Sequence, residues 1–149
     1  MKRLALLALC LAVFVTARPA ISQTGAKRQA DKVTIRITLP GSVLTATLED
    51  SATARDFAAL LPLKVPLKDY ASTEKVADLP KKLSLDGAPA GIDPSVGDIA
   101  YYAPWGNLAI FYKDFGYSRG LVKIGRIDGN VRALRQPGPM EATIELIEK

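Results

Sequence analysis

The densest concentration of chemically useful side chains lies in residues 101–126. Trp105, the only tryptophan, stands there with Tyr101, Tyr102, Phe111, Tyr112, Phe115 and Tyr117, and Lys113, Arg119, Lys123 and Arg126 are interleaved with them. Aromatic faces beside guanidinium groups suit a cleft for an extended peptide or a small anionic ligand, held by stacking and bidentate hydrogen bonds. The competing reading is barrel filling by the aromatics and a solvated face of cations. Trp105 bears on the choice, because Pro104-Trp105-Gly106-Asn107 is a turn and turns lie at the surface. In a regular strand over Leu121–Ile127, Arg126 shares a face with Val122 and Ile124. It is therefore expected to be partly buried and to need a carboxylate partner. Glu74, an isolated acid in a loop-like stretch, is the candidate. Such a pair is either a positioned arginine in a cleft or a structural tie between loop and barrel. The candidate ligand-binding set is Trp105, Tyr112, Arg119, Arg126 and Glu74.

Other chemistry is excluded by what is missing. The 149 residues contain no histidine and one cysteine. That removes a His-containing triad, a His or multi-Cys zinc site and any disulfide framework within the chain. Ser95 and Ser118 have no histidine base. Asp86, Asp93, Asp98 and Asp114 fall in turns or at strand starts, where carboxylates accept from backbone N–H groups, and no pair has the spacing of an acid–base couple. No run of oxygen ligands suggests calcium. No metal or cofactor is expected, and no catalytic residue is marked out.

Met1-Lys2-Arg3, the apolar run over residues 4–15, and the small residues Ala17, Ala20 and Ser22 form the three parts of a secretory signal over residues 1–22. Cleavage after Ser22 or after Ala17 fits; an uncleaved amphipathic anchor or a misassigned start codon is the alternative. The apolar run is shorter than the roughly 20 residues of a membrane-spanning helix, so no membrane insertion is expected after signal removal. Cys10 lies inside the run and leaves with it. The full chain carries a formal charge of +5. Residues 1–22 hold Lys2, Arg3 and Arg18 and no acid, so the remainder has 17 bases, 15 acids and a net charge of +2. This small excess in a secreted or periplasmic protein argues against nucleic acid as a partner.

The elements that must position these residues are mostly strands. Residues 23–31 are polar and read as a flexible lead-in, and residues 32–149 as one domain. Val33, Ile35, Ile37 and Leu39 alternate with Thr34, Arg36 and Thr38, Pro40-Gly41 turns the chain, and Leu44, Ala46 and Leu48 alternate on the return. Asp50-Ser51 can cap a short helix whose face is Ala54, Phe57, Ala58 and Leu61, ended by Pro62. Leu63, Val65 and Leu67 predict an edge-like strand with Pro66 limiting its pairing. Residues 70–94 show the least pattern and read as loop. Strands follow over residues 99–102, 108–112 and 121–127. Asp128-Gly129 is a hairpin signal leading to a strand over residues 131–134, and Met140, Ala142, Ile144 and Leu146 alternate in a last strand. Seven or eight short strands with one short helix point to a mainly β, small closed barrel, which leaves no sheet edge.

The run from Ile35 to Glu145 resembles the bacterial cyclophilin-like domain family. The residues that carry the resemblance are Ala54-Arg55-Asp56-Phe57 leading to Leu60-Leu61-Pro62-Leu63, Glu74-Lys75 before Leu79-Pro80, Gly97-Asp98-Ile99, Phe111-Tyr112-Lys113 and Gly125-Arg126-Ile127. The resemblance implies a small closed β-barrel with a helix near one end. True cyclophilins are prolyl isomerases whose signature includes Phe-His-Arg. That run is missing here, and Val96-Gly97-Asp98 is a fragment of the Gln-Gly-Gly-Asp landmark, so isomerase activity does not carry over. The expected function is an exported binding module for a peptide segment or small anionic ligand without catalysis. The alternative is a diverged peptidyl-prolyl isomerase using Arg126 or Arg119 as its cation. A purely structural or partner-binding role would need a large exposed apolar patch, which only a structure can reveal.

Overall fold

The computed structural model describes residues 32–147. The proposed signal segment with Cys10, and the lead-in over residues 23–31, lie outside the described residues. The alternation of the first strands carries straight into the fold. β1 (Thr34–Leu39) buries Ile35, Ile37 and Leu39, and β2 (Ser42–Leu48) buries Ala46 and Leu48. They pair antiparallel through a two-residue turn at Pro40-Gly41, where Gly41 takes a φ of 72°. α1 (Ala52–Ala58) is capped by Ser51, whose hydroxyl accepts from the Ala54 N–H at 3.1 Å, and it buries Ala54 and Phe57 into the core.

β3 (Leu63–Tyr70) is not an edge. It pairs with β10 (Met140–Leu146) through Leu63 to Leu67, and with β4 (Glu74–Asp78) only from Lys68 to Tyr70. Pro66 therefore sits where β3 has one neighbour, so its missing N–H interrupts no second ladder. β4 belongs to the stretch expected to be loop. Its inward positions are Lys75 and Ala77 and its outward ones Glu74 and Val76, so no apolar alternation announces it. A two-residue strand β5 (Gly91–Ile92) follows, then β6 (Asp98–Tyr102) and β7 (Asn107–Phe111), and another short piece, β8 (Ser118–Arg119), pairs with β5 outside the barrel. β9 is Leu121–Ile127. The expected strand over residues 131–134 is instead a 3-10 turn at Arg132–Arg135, with Val131 and Leu134 buried against the barrel core. β9 has no room for a hairpin partner there, because β2 and β6 already occupy both its sides.

Eight strands close antiparallel in the order β1-β10-β3-β4-β7-β6-β9-β2. The interior holds Ile35, Ile37, Phe57, Leu67, Ile99, Tyr101, Leu108, Ile110, Ile124 and Ile144. β6 and β7 are buried on both faces. Their outer positions Ala100, Ala109 and Phe111 join Leu121 in a second apolar cluster outside the barrel wall. The long loop over residues 79–90 is tied down by α1: Thr53 Oγ1 donates to the Ser84 carbonyl at 2.7 Å, and Asp56 Oδ2 accepts from the Ser84 N–H at 2.8 Å.

Candidate functional site

The outer apolar cluster forms the floor of a cleft of about 140 Å³. Two hairpins build its walls. In the β3–β4 hairpin, Tyr70 faces Glu74 and Asp69 faces Lys75. Neighbouring pairs point to opposite faces, so Tyr70 and Glu74 stand at the cleft while Asp69 and Lys75 point away. The turn between them places Ala71 and Ser72 at left-handed φ values of 50° and 55°. In the β6–β7 hairpin, Tyr102 faces Asn107 across a turn that carries Trp105. Gly120 lets this turn dock. Its carbonyl accepts from the Ala103 N–H at 2.9 Å, its φ is 83°, and a Cβ there would come within 2.8 Å of Pro104 Cδ.

Trp105 is 60% exposed. Its ring stands at 84° to Tyr70 and at 84° to Tyr102, with centroids 5.6 and 5.3 Å away, the edge-to-face geometry aromatic pairs favour. Val76, Ala109, Phe111, Phe115, Ser118 and Leu121 also line the cleft. Glu74 is the only charged residue among the lining residues and is 7% exposed. Burial raises its pKa above the ordinary carboxylate value, opposed by the Thr73 hydroxyl, which donates to it at 2.5 Å. No described cation pairs with it. Asn107 is 5% exposed, and its Oδ1 is buried without a hydrogen-bond partner. Buried polar groups are seldom left so. The arrangement can hold one side-chain-sized group between aromatic walls and hydrogen-bond to it. It offers no paired nucleophile and base. Among the described residues, no group of carboxylate or cysteine side chains could hold a metal ion.

The aromatic-rich segment divides between interior and cleft. Trp105 and Glu74 share the cleft; Tyr112, Arg119 and Arg126 do not line it. Tyr112 is buried, and its hydroxyl donates to Asp69 Oδ1 at 2.9 Å; burial and that carboxylate push its pKa up to about 12. Tyr101 lies in the core, its hydroxyl accepting from the Leu83 N–H at 3.3 Å. Arg119 is exposed on β8. Arg126 is also exposed, and its partner is Asp98 at 2.7 Å, not Glu74. A β-bulge explains the difference. Ile99 pairs with Gly125 and Ala100 with Lys123, leaving Ile124 as an extra residue that reverses the alternation. Ile124 and Ile127 both reach the core, and Arg126 emerges beside Lys123, which also pairs with Asp98 at 3.0 Å. Asp98 accepts from the Ser95 N–H at 2.9 Å as well, and Asp114 from the Val96 N–H at 3.2 Å, the capping role expected of these carboxylates.

Tyr70 and Asn107 escaped the reading of the sequence. Tyr70 ends a strand whose partner strand is hidden by Lys75, and Asn107 passes for an ordinary turn residue. Behind the cleft, Lys75 is fully buried. Its ammonium donates to Asp69 Oδ2 at 2.9 Å and to the carbonyls of Gln136 at 2.7 Å and Gly138 at 2.8 Å, which uses all three of its N–H bonds. For Asp69, burial raises the pKa. Hydrogen bonds from Lys75, Tyr112 and the Gly138 N–H, with the Lys75 charge, outweigh that and hold it below the ordinary value. This knot anchors the β3–β4 hairpin to the segment leading into β10.

The model of the Cyclophilin-like family matches residues 37–145, and the chain belongs to that family. Among solved structures, the chain is similar to a hypothetical protein from Archaeoglobus fulgidus, known from its solution structure. The TM-score is 0.59 at 18% identity, over 78% of this chain and 95% of that one. At that identity the likeness speaks for the fold alone. No curated protein matches the sequence.

Proposed function

We propose that this member of the Cyclophilin-like family is an exported binding module that takes up a peptide segment by inserting one of its side chains into the cleft between Tyr70, Tyr102 and Trp105, without covalent chemistry. The observation that carries the reading is the cleft itself: an aromatic-walled space lined by Asn107, whose Oδ1 is buried without a partner, and with no nucleophile–base pair. Its volume of about 140 Å³ is that of a side-chain pocket, well short of the about 300–1,000 Å³ that holds a drug-sized molecule. A small anion is less suited to it, because its one charged side chain is an acid. The isomerase alternative needs an aimed cation, and Arg119 and Arg126 both lie outside the lining.

The test is a titration of the protein with a panel of short peptides varied at one central residue, read by Trp105 fluorescence and by calorimetry. Saturable binding that Tyr70→Ala or Trp105→Ala weakens at least tenfold supports the reading. Binding unaffected by both substitutions, or none across the panel, overturns it. A prolyl-isomerase assay on the same folded sample is expected to show no acceleration above the uncatalysed rate.

A further inference from the structure

We propose that the group this cleft accepts is an alkylammonium cation, as carried by a lysine side chain or a free quaternary amine. The inference rests on the binding reading above and specifies its ligand. Three rings, Tyr70, Tyr102 and Trp105, stand nearly perpendicular in two pairs with centroids 5.3 and 5.6 Å apart. A cation within about 6 Å of such a ring centroid is attracted to the negative face of the ring, more strongly when both are desolvated. Glu74 supplies a counter-charge at the same cleft, and no described cation satisfies it. Asn107 lines the same cleft with a side chain 5% exposed and an Oδ1 that has no partner.

Competing occupants fit these groups less well. A neutral apolar side chain would use the rings but seal the Glu74 carboxylate away from water with the Thr73 hydroxyl and no counter-charge. An anion would meet the Glu74 carboxylate. A cation uses both the rings and the carboxylate. The space of about 140 Å³ admits one head group, and Trp105 at the mouth is exposed enough to meet it.

The experiment compares charge at constant shape. The protein is titrated with choline and with 3,3-dimethylbutan-1-ol, its neutral carbon isostere. A parallel pair of blocked tripeptides carries lysine or norleucine at the centre. Trp105, the only tryptophan in the chain, reports locally, and calorimetry reports independently. The charged member of at least one pair is expected to bind about tenfold or more tightly than its neutral partner. Glu74→Gln should abolish that preference. Preference confined to the tripeptides makes a peptide lysine the source, and preference confined to choline makes it a free quaternary amine. Equal binding of charged and neutral members overturns the cation assignment while leaving the cleft a binding site. Absence of binding by every ligand here and in the peptide panel removes both. The comparison within the unsubstituted protein does not depend on any variant folding.

Discussion

Asp69→Asn should destabilise this protein more than Lys75→Met, and combining the two should cost much less than their sum. The Lys75 ammonium is fully buried with three oxygens at 2.7 to 2.9 Å, of which only Asp69 carries charge. Asparagine preserves shape but leaves that ammonium facing neutral acceptors alone. Removing one partner of a buried ion pair costs about 3–5 kcal/mol. The Asp69 side chain is 30% exposed, which sets the expectation at the low end, about 3 kcal/mol. Lys75→Met keeps an unbranched stem in the core and removes the charge. Asp69 then retains Tyr112, the Gly138 N–H and water, while two carbonyls lose a donor at about 1 kcal/mol each. Once the ammonium is gone, Asp69→Asn has little left to disturb. The double variant is therefore expected about 2–3 kcal/mol below the parent, against about 5 if the effects were independent. Urea unfolding of the four proteins, followed by far-ultraviolet circular dichroism, measures this. Additivity within about 0.5 kcal/mol would refute the reasoning, as would Asp69→Asn costing less than Lys75→Met. Because Asp69 sits below its ordinary pKa, its contribution is present above about pH 3.8 and fades as pH falls below that through the lowered native value.

Three further outcomes follow from the same geometry. Glu74 has the opposite linkage: its native pKa lies above the ordinary 4.5, so its ionisation costs stability as pH rises from there through the raised value. Glu74→Gln is thus expected to raise the melting temperature at pH 7 while weakening ammonium binding; a variant that loses stability at pH 7 contradicts this. Gly120→Ala forces a Cβ against Pro104 at a φ of 83°, and should cost about 1–3 kcal/mol and weaken ligand binding by displacing the Trp105 turn. Unchanged binding by this variant would separate the turn from the site. Arg126→Ala removes an exposed arm of a pair in which Asp98 keeps Lys123. Chemical denaturation should register less than about 1 kcal/mol, and cleft affinity should not move; a tenfold loss of affinity would put Arg126 back in the site.

Much of this fold was legible locally. Alternation in β1, β2 and β10, the Pro40-Gly41 turn and the Ser51 cap are determined by neighbours one to four residues away, and each appears where the residues place it. The surface position of Trp105 follows from its turn in the same way. β4 was hidden, because a lysine at an inward position breaks the apolar pattern, and only acceptors from β3 and residues 136–138 make that lysine tolerable. The Arg126 partner was hidden by one extra residue, Ile124, since a bulge depends on how two strands pair and reverses every facing position beyond it.

By itself the sequence determined a mainly β chain with the family's ordered motifs, and its composition excluded histidine chemistry, a His or multi-Cys zinc site and a disulfide within the chain. The tertiary structure decided which aromatic side chains fill the barrel and which stand outside it. It put Tyr101 and Tyr112 within and brought Tyr70, Glu74, Tyr102, Trp105 and Asn107 to one cleft. These five residues come from two hairpins that meet only when β4 pairs with β7. Side-chain periodicity reports which face a residue takes within one strand, and not which strand will lie beside it.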